Sequence, residues 1–324
     1  MNKKYIKTKF IVVAVISVLL GLLCTRIGTI DLTLSEIIIG LIKGDNSQVE
    51  IIRFIRLPRI FISFITGAML ATSGVLLQSV MKNPLADPGI VGISAGASFM
   101  NSLVMILVPS LFLSAPLFGL LGGLMACGLV YAFAWQKGFN PKRIILAGIA
   151  VNAFFEALSE VVSYMGSSSM MAGISSGAQS TTKSWDTVLM MSIYGIIAIS
   201  MAICLYKQCD LLALGERNAA SLGMNVNAQR IIISVIAVFL AIIPTVQVGM
   251  ISFVGLVVPH LGRLLVGTRH KCLIPFTALL GGALLLLADF LGRIIVYPME
   301  VPLSVMMAII GAPFFLYMLK RSEA

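Results

Sequence analysis

Apolar residues recur in long runs along the chain, and short polar segments separate one run from the next. An α-helix needs about 20 residues to cross the hydrocarbon core of a bilayer, and its backbone groups must pair within the segment, so such runs predict helices. The pattern predicts about ten transmembrane helices, at 10–28, 60–80, 92–108, 115–135, 143–165, 188–206, 229–247, 249–267, 273–291 and 302–319. Pro244 and Pro259 interrupt the pattern, which predicts broken or short helices between 244 and 268.

Composition points to the same class of protein. Of the 324 residues, 59% are hydrophobic and 11% are charged, whereas soluble domains carry about 25% charged residues. No segment has the charge or linker composition of a separate soluble domain. The sequence therefore predicts an all-α polytopic membrane protein with a single transmembrane domain over 1–324. Its five scattered cysteines lack a C-x-x-C pair, so neither a metal site nor a disulfide framework is predicted.

The lysines and arginines predict the orientation of the chain. An even number of helices places both termini on one side, and sixteen of the 23 basic residues fall in the segments on that side. Because cytoplasmic loops carry the excess of basic residues, both termini are predicted to be cytoplasmic. The net charge of +10 suits the anionic inner leaflet of the lipid bilayer and requires no nucleic acid.

One stretch departs from this charge distribution. The sequence EIIRFIRLPRIFISFI begins at Glu50 and places Arg53, Arg56 and Arg59 at the outer end of the second predicted helix. Basic residues at this end of a helix can snorkel to lipid headgroups, which would account for one or two of them. Three arginines in one stretch suggest a partner of opposite charge.

A second stretch contains a hydrolase-like pattern. Residues 92–96 read G-I-S-A-G, which matches the G-x-S-x-G nucleophile pattern of serine hydrolases. That chemistry needs a base, and the two histidines, His260 and His270, are both predicted near the cytoplasmic side. No strand precedes Ser94 either. We therefore interpret Ser94 as a residue of a helix start, and His260 as a structural residue.

Five segments together resemble one family. They read RLPR, SGVLLQSVMKNPLADPGIVGISAGAS, ALGERNAASLGMNV, ISFVGLVVPHLGRLLVG and IIGAPFFLYML, and they follow one another in order from about residue 50 to 319. They resemble the FecCD-type permease subunits of ATP-binding-cassette importers, which have a BtuC-like permease fold and carry ferric siderophores, haem or cobalamin. The resemblance implies partners: a second permease subunit, identical or not, two cytoplasmic ATPase subunits and an extracytoplasmic solute-binding protein.

The resemblance also implies a function. The chain is expected to be a multi-pass permease of a bacterial or archaeal cell membrane that moves a ferric siderophore or similar iron chelate into the cytoplasm by alternating access. Import of haem or cobalamin is the alternative, and a secondary transporter is a more distant one. The chain lacks a G-x-x-x-x-G-K-[ST] loop, so ATP hydrolysis is assigned to a separate subunit. No cofactor, catalytic residue or enzyme activity is expected of this chain.

Two groups of site residues follow from the family motifs. Arg56, Arg59 and Arg293 match the positions that receive an acidic side chain of the docked binding protein, for which a guanidinium is well suited. The cytoplasmic loop at about 208–228 matches the segment that couples the permease to the ATPase. Its matching positions are Gly215, Glu216, Ala219, Ala220 and Gly223.

A third group comes from helical spacing. Asn152, Glu156 and Glu160 share one face of the fifth predicted helix. Ionisable residues in a membrane segment usually face a cavity or the bundle interior, so these three are candidates for lining the transport pathway. The alternative is that the two acids contact water near the outer end or pair with a basic residue of a neighbouring helix.

Overall fold

The computed structural model describes residues 3–26, 50, 52–89, 91–108, 115–134, 141–167, 184–296 and 299–322. Helices make up the regular secondary structure of this part of the chain, which contains no strand. Residues 168–183, which the sequence places between the fifth and sixth predicted helices, lie outside the described residues.

Twelve α-helices follow one another in the described ranges. A π-helical turn, Ile52–Arg56, leads directly into the second of them. The helices are α1 Lys3–Arg26, α2 Leu57–Met81, α3 Ile93–Leu107, α4 Ala115–Ala134, α5 Pro141–Ser167, α6 Trp185–Cys204, α7 Tyr206–Ala213, α8 Glu216–Ser221, α9 Val226–Val248, α10 Val254–Val266, α11 His270–Ile294 and α12 Leu303–Ser322.

Ten of these helices coincide with the ten apolar runs of the sequence, and α7 and α8 lie in the predicted coupling loop. In the part of the chain that the structure describes, seven helices are long and apolar enough to cross a membrane, and three shorter apolar ones are α3, α10 and 303–317 of α12. The first residues of α3 and α10 are buried, so both helices begin inside the bundle. The all-helical prediction is confirmed.

The prediction of broken or short helices between 244 and 268 is confirmed, since α10 has only 13 residues and a break precedes it, but the prolines do not lie at the break. Pro244 lies inside α9 and Pro259 inside α10, and the break falls between them at 249–253. Gly249 ends α9 with φ +93°, and Phe253 precedes α10 with φ +71°, so two left-handed residues turn the chain there. Neighbouring helices in a membrane bundle compensate the backbone group that a proline leaves unpaired, which is why both prolines are tolerated.

Helix α2 is the centre of the bundle, and glycines bring its backbone against two neighbours. A Cβ atom at Gly67 would lie 2.1 Å from the carbonyl oxygen of Gly281 in α11, and one at Gly74 would lie 2.0 Å from that of Gly255 in α10. Both distances are far below van der Waals contact. Small residues are therefore required where α2 crosses α11 and α10, as is typical of membrane helix packing.

We expect Gly74→Ala to destabilise the protein by about 1–3 kcal/mol, because the new methyl group has only backbone atoms to displace. The matched control is Gly128→Ala in α4, where a Cβ would meet nothing within 4 Å and alanine favours the helix. The thermal midpoint of the detergent-solubilised protein measures both changes. Equal midpoints for the two variants would contradict the close crossing of α2 and α10.

The bundle has two ends that carry different groups of polar residues. We call the end that contains Arg56, Arg59 and Arg293 the arginine end, and the end that contains α7 and α8 the coupling end. The Lys9 ammonium of α1 donates to the Leu265 carbonyl in the last turn of α10, and both lie at the coupling end. Helices α2 and α11 run from one end to the other, so they connect the two polar groups.

Candidate docking, coupling and pathway sites

At the arginine end, Arg59 contacts two carboxylates of the same chain. Its Nε donates to Asp289 Oδ1 of α11 at 2.8 Å, and its Nη1 donates to Glu300 Oε2. The Asp289 side chain is only 2% exposed, whereas the Glu300 side chain is 52% exposed. Arg59 is therefore held by one buried carboxylate and also contacts one that water can reach.

The other two predicted arginines close the C-terminus of α1. Arg293 Nη1 donates to the Cys24 carbonyl at 3.2 Å, and Arg56 Nη1 donates to the Thr25 carbonyl at 3.1 Å. Cationic side chains are favourable there because the last carbonyls of a helix carry partial negative charge. Arg293 also lies 3.0 Å from Asp289, four residues earlier in α11.

The structure thus brings the three arginines predicted for docking close together: Arg59 and Arg293 pair with Asp289 and Glu300, and Arg56 contacts the end of α1 beside Arg293. Three positive and two negative side chains leave this group with a charge of +1. A polar cavity of about 160 Å³ opens beside it, lined by Arg59, Asp289 and Glu300 together with Ser63 and Ser304. Arg53, by contrast, is exposed and lies over the Phe54 ring at 5.5 Å, outside these ion pairs.

At the coupling end, α8 is a short helix between Gly215 and Gly223, two of the positions that match the family's coupling segment. Gly215 precedes α8 with φ +104° and Gly223 follows it with φ +83°, conformations that glycine adopts without strain. Glu216 in its first turn accepts a hydrogen bond from Arg230 Nη2 of α9 at 2.7 Å. Because the Arg230 side chain is 1% exposed, this ion pair holds α8 against the start of α9.

The faces of α8 differ in exposure. Ala219 is fully buried, whereas Ala220 is exposed, as are Leu214 and Leu222 on either side of the helix. The preceding helix α7 packs through Cys209 and Leu212, which are fully buried, and this burial raises the pKa of the Cys209 thiol to about 12. The exposed side of α8 therefore combines the small residue Ala220 with polar side chains, and an exposed leucine lies at each end of the helix, whose other side is packed.

The predicted pathway residues lie on α5. Asn152 and Glu156 line a cavity of about 170 Å³ together with Gly89, Ser252 and Phe253 of the turns that precede α3 and α10. The Asn152 Oδ1 atom is buried and has no hydrogen-bond partner among the described residues. Glu160 is exposed one turn further along α5 and is not part of this cavity wall.

The other two residues considered in the sequence, Ser94 and His260, each contact a neighbouring helix. Ser94 is buried at the start of α3 and accepts from Thr245 Oγ1 of α9 at 3.3 Å, which agrees with a packing residue. The His260 ring lies 6.1 Å from the Phe314 ring. Among the described residues, no group of three or more His, Cys, Asp or Glu side chains is placed to hold a metal ion.

Several polar residues of these sites are absent from the sequence-based prediction. Asp289 could have been found, because an acid four residues before Arg293 in an apolar run is itself a signal of a functional or paired residue. No such signal marks Arg230, Asp210 or His270. Arg230 pairs with Glu216 of α8, and Asp210 of α7 contacts His270 of α11, so each partner lies in another helix. Their roles depend on how the helices pack.

Comparisons with known proteins agree with this architecture. The model of the FecCD transport family matches residues 14–321. The chain is 34% identical over 322 residues to the "Probable heme-iron transport system permease protein IsdF" of Staphylococcus aureus strains MSSA476 and MW2, covering 99% of this chain and 98% of the relative.

Solved structures agree as well. A chain from an ABC transporter assigned to the metal-chelate type, in an inward-facing conformation, matches with a TM-score of 0.83 and 28% identity over 96% of this chain and 98% of that one. PsaBC from Streptococcus pneumoniae in complex with Fab matches with a TM-score of 0.59 and 19% identity over 88% and 95%, and shares the fold alone.

The family match covers nearly the whole chain, and the solved structure shares its helical architecture from end to end. The resemblance seen in the sequence and the BtuC-like permease fold are thereby confirmed. The chain belongs to the FecCD transport family and is a membrane permease of the ABC transporter type, not an enzyme in its own right.

Proposed function

We propose that this permease moves an iron chelate, a ferric siderophore or haem, into the cytoplasm as part of an ATP-binding-cassette importer. The observation that carries the proposal is the 34% identity over 322 residues to a relative named as a heme-iron transport permease. The same observation favours haem as the second candidate beside the siderophore that the sequence predicts. Both are large iron-containing ligands that a carrier protein delivers from outside.

The arginine end is proposed as the docking site for the solute-binding protein. Its charge of +1 and its polar cavity suit an incoming carboxylate, which a guanidinium binds through two parallel hydrogen bonds. Of the two carboxylates on Arg59, Asp289 is buried and Glu300 is half exposed. An acidic side chain of the partner would therefore compete with Glu300 for Arg59, while Asp289 keeps its place between Arg59 and Arg293.

The coupling end is proposed to contact the ATPase subunits. Ala220 lies exposed on α8, and its small side chain lets another protein approach closely. The ion pair between Glu216 and Arg230 connects α8 to α9, so a displacement of α8 is transmitted to α9. In this orientation α7, α8 and the start of α1 lie on the cytoplasmic side, as the distribution of basic residues predicts. The arginine end then faces the outside.

Helix α5 is proposed to line the pathway between two permease subunits. Glu156 and Glu160 are exposed on a helix that is otherwise apolar enough to span the membrane. Carboxylates are costly against hydrocarbon, so a second permease subunit is expected to cover this face and enclose it with water. The cavity at Asn152 and Glu156 would then open into that pathway.

Reconstitution tests this function. The permease is co-expressed with its ATPase and binding-protein partners and placed in proteoliposomes. We expect ATP-dependent uptake of an iron chelate, and separate assays with haem and with a ferric siderophore identify which one. The more distant alternative, a secondary transporter, would instead show uptake that follows an ion gradient and needs no ATPase.

The same assay tests the pathway residues. We expect the double variant Glu156→Gln, Glu160→Gln to lower the uptake rate by about tenfold, with unchanged ATPase binding, because the pathway loses its charged groups. The control is Asp186→Gln, an exposed acid in the first turn of α6. Uptake equal to that of the wild type would remove Glu156 and Glu160 from the pathway.

A further inference from the structure

A chain of three polar side chains connects α7, α11 and α2 at the coupling end. Asp210 Oδ1 of α7 accepts from His270 Nδ1 at 2.7 Å and from the His270 backbone N–H at 3.0 Å. On the other side of the ring, His270 Nε2 lies 2.7 Å from Ser79 Oγ of α2. We call this arrangement the Asp210–His270–Ser79 link.

The link holds whichever way the protons are placed. Asp210 requires a proton on Nδ1, so in the neutral ring Nε2 accepts from the Ser79 hydroxyl. In the charged ring Nε2 donates to Ser79, whose hydroxyl then donates to the Val75 carbonyl at 2.8 Å. Both arrangements use the same three residues in the same positions, so the link does not depend on one ionisation state.

The same residues resemble the order of a hydrolytic triad, but their placement does not suit that chemistry. A nucleophilic serine stands on an exposed, strained turn between a strand and a helix. Ser79 instead lies in the last turn of α2, and its hydroxyl is within hydrogen-bond distance of the Val75 carbonyl. A structural role in connecting helices accounts for the geometry better.

The carboxylate of Asp210 also supplies what the start of α11 lacks. Arg269 precedes α11 and makes no side-chain hydrogen bond to its first turn. Asp210, which belongs to α7, acts as the cap instead. Its Oδ1 accepts the first N–H of α11, and its negative charge lies at the positive end of that helix. The position of α7 is therefore fixed against the first residue of α11.

Helices α2 and α11 are connected at three levels. Ser79 and His270 join them at the coupling end, their backbones touch at Gly67 and Gly281, and Arg59 and Asp289 join them at the arginine end. Contacts at both ends and in the middle favour movement of the two helices as one body. Asp210 attaches α7 to one end of this pair, and the proposed docking residues are its other end.

We propose that the Asp210–His270–Ser79 link transmits movement between α7, next to the ATPase contact, and the α2–α11 pair that reaches the docking end. The proposal rests on the proposed function of the two ends. Asp210, His270 and Ser79 are positioning residues: they touch neither cargo nor nucleotide, and they fix α7 relative to the helix pair. Without the link, α7 would move without carrying α2 and α11 along.

The test uses the assembled transporter in nanodiscs. It measures the ATPase rate with loaded binding protein and divides it by the rate without binding protein. We expect Asp210→Ala to lower this ratio by about tenfold, within the range of ordinary coupling free energies, while the ATPase stays bound. Ser79→Ala, which removes one bond and no packing volume of note, should lower the ratio less. Asp210→Asn keeps the acceptor oxygen and should restore most of the ratio.

The matched control is Lys271→Ala. Lys271 follows His270 and also contacts α7, with its ammonium 5.9 Å from the Tyr206 ring centroid, but it lies outside the link. Its ratio should equal that of the wild type. An unchanged ratio in Asp210→Ala would overturn the proposal. Loss of the ATPase from that variant would overturn it as well, because the link would then only support assembly. A wild-type permease that binds no ATPase would instead overturn the proposed function.

Discussion

Replacement of Glu300 by Gln is expected to tighten binding of the loaded solute-binding protein by about threefold to tenfold at low salt. The substitution removes the exposed carboxylate that contacts Arg59 and raises the charge of the arginine end from +1 to +2. The incoming acidic side chain then meets a guanidinium whose charge is no longer offset by a carboxylate at position 300, since the amide of glutamine is neutral. A gain in affinity is informative because damage to the fold would weaken docking.

Arg59→Gln should have the opposite effect and weaken docking by about a hundredfold, mainly through faster dissociation. Asp289 keeps Arg293 as its partner at 3.0 Å, so the fold should survive the change. Arg53→Gln is the control, because Arg53 is exposed in the turn before α2 and outside the ion pairs at this end. Binding kinetics on permease in nanodiscs measure all three variants.

Two results would contradict docking at the arginine end. One is a loss of affinity in Glu300→Gln, since Glu300 would then contribute to the contact. The other is an equal effect of Arg59→Gln and Arg53→Gln, because both remove one positive charge at this end. In that case the arginines would act only through long-range attraction, which salt at about 1 M screens within a few ångströms.

Ten helices in the described part of this fold could be predicted from the sequence because each is an apolar run between polar segments, and seven of them are long enough to cross a membrane. A break between 244 and 268 could be predicted as well, but its position at Gly249 and Phe253 rather than at Pro244 or Pro259 could not. Whether a proline breaks a helix depends on what packs around it, and α9 and α10 keep theirs inside a buried bundle.

The residues of the candidate sites could be predicted better than their contacts. The three arginines and the ends of α8 follow from sequence motifs. Arg59 and Glu300, however, are 241 residues apart, and Asp210 and His270 are 60 apart. No local pattern joins such pairs, so the sequence indicates unpaired arginines where the structure shows a network that is nearly neutral.

Introduction of tryptophan at Ala220 is expected to remove the ATPase from the purified complex, with co-purification reduced about tenfold or more. Ala220 is exposed on α8, so the indole ring would extend into the space that the partner occupies, and the energetic centre of an interface tolerates such changes poorly. The thermal midpoint of the permease alone should not change. Quantitative gels of the affinity-purified complex and a melting curve give the two readings.

The neighbouring residue separates contact from folding. Ala219 is fully buried, so Ala219→Trp should lower the thermal midpoint of the permease itself, because the core beneath α8 has no room for the ring. Ala213→Trp, at an exposed position at the end of α7, is the control for a bulky residue at the coupling end. Ala213→Trp should keep its ATPase. If Ala220→Trp kept its ATPase as well, α8 would not be the contact. If Ala220→Trp instead melted early like Ala219→Trp, the loss of ATPase would reflect unfolding of α8.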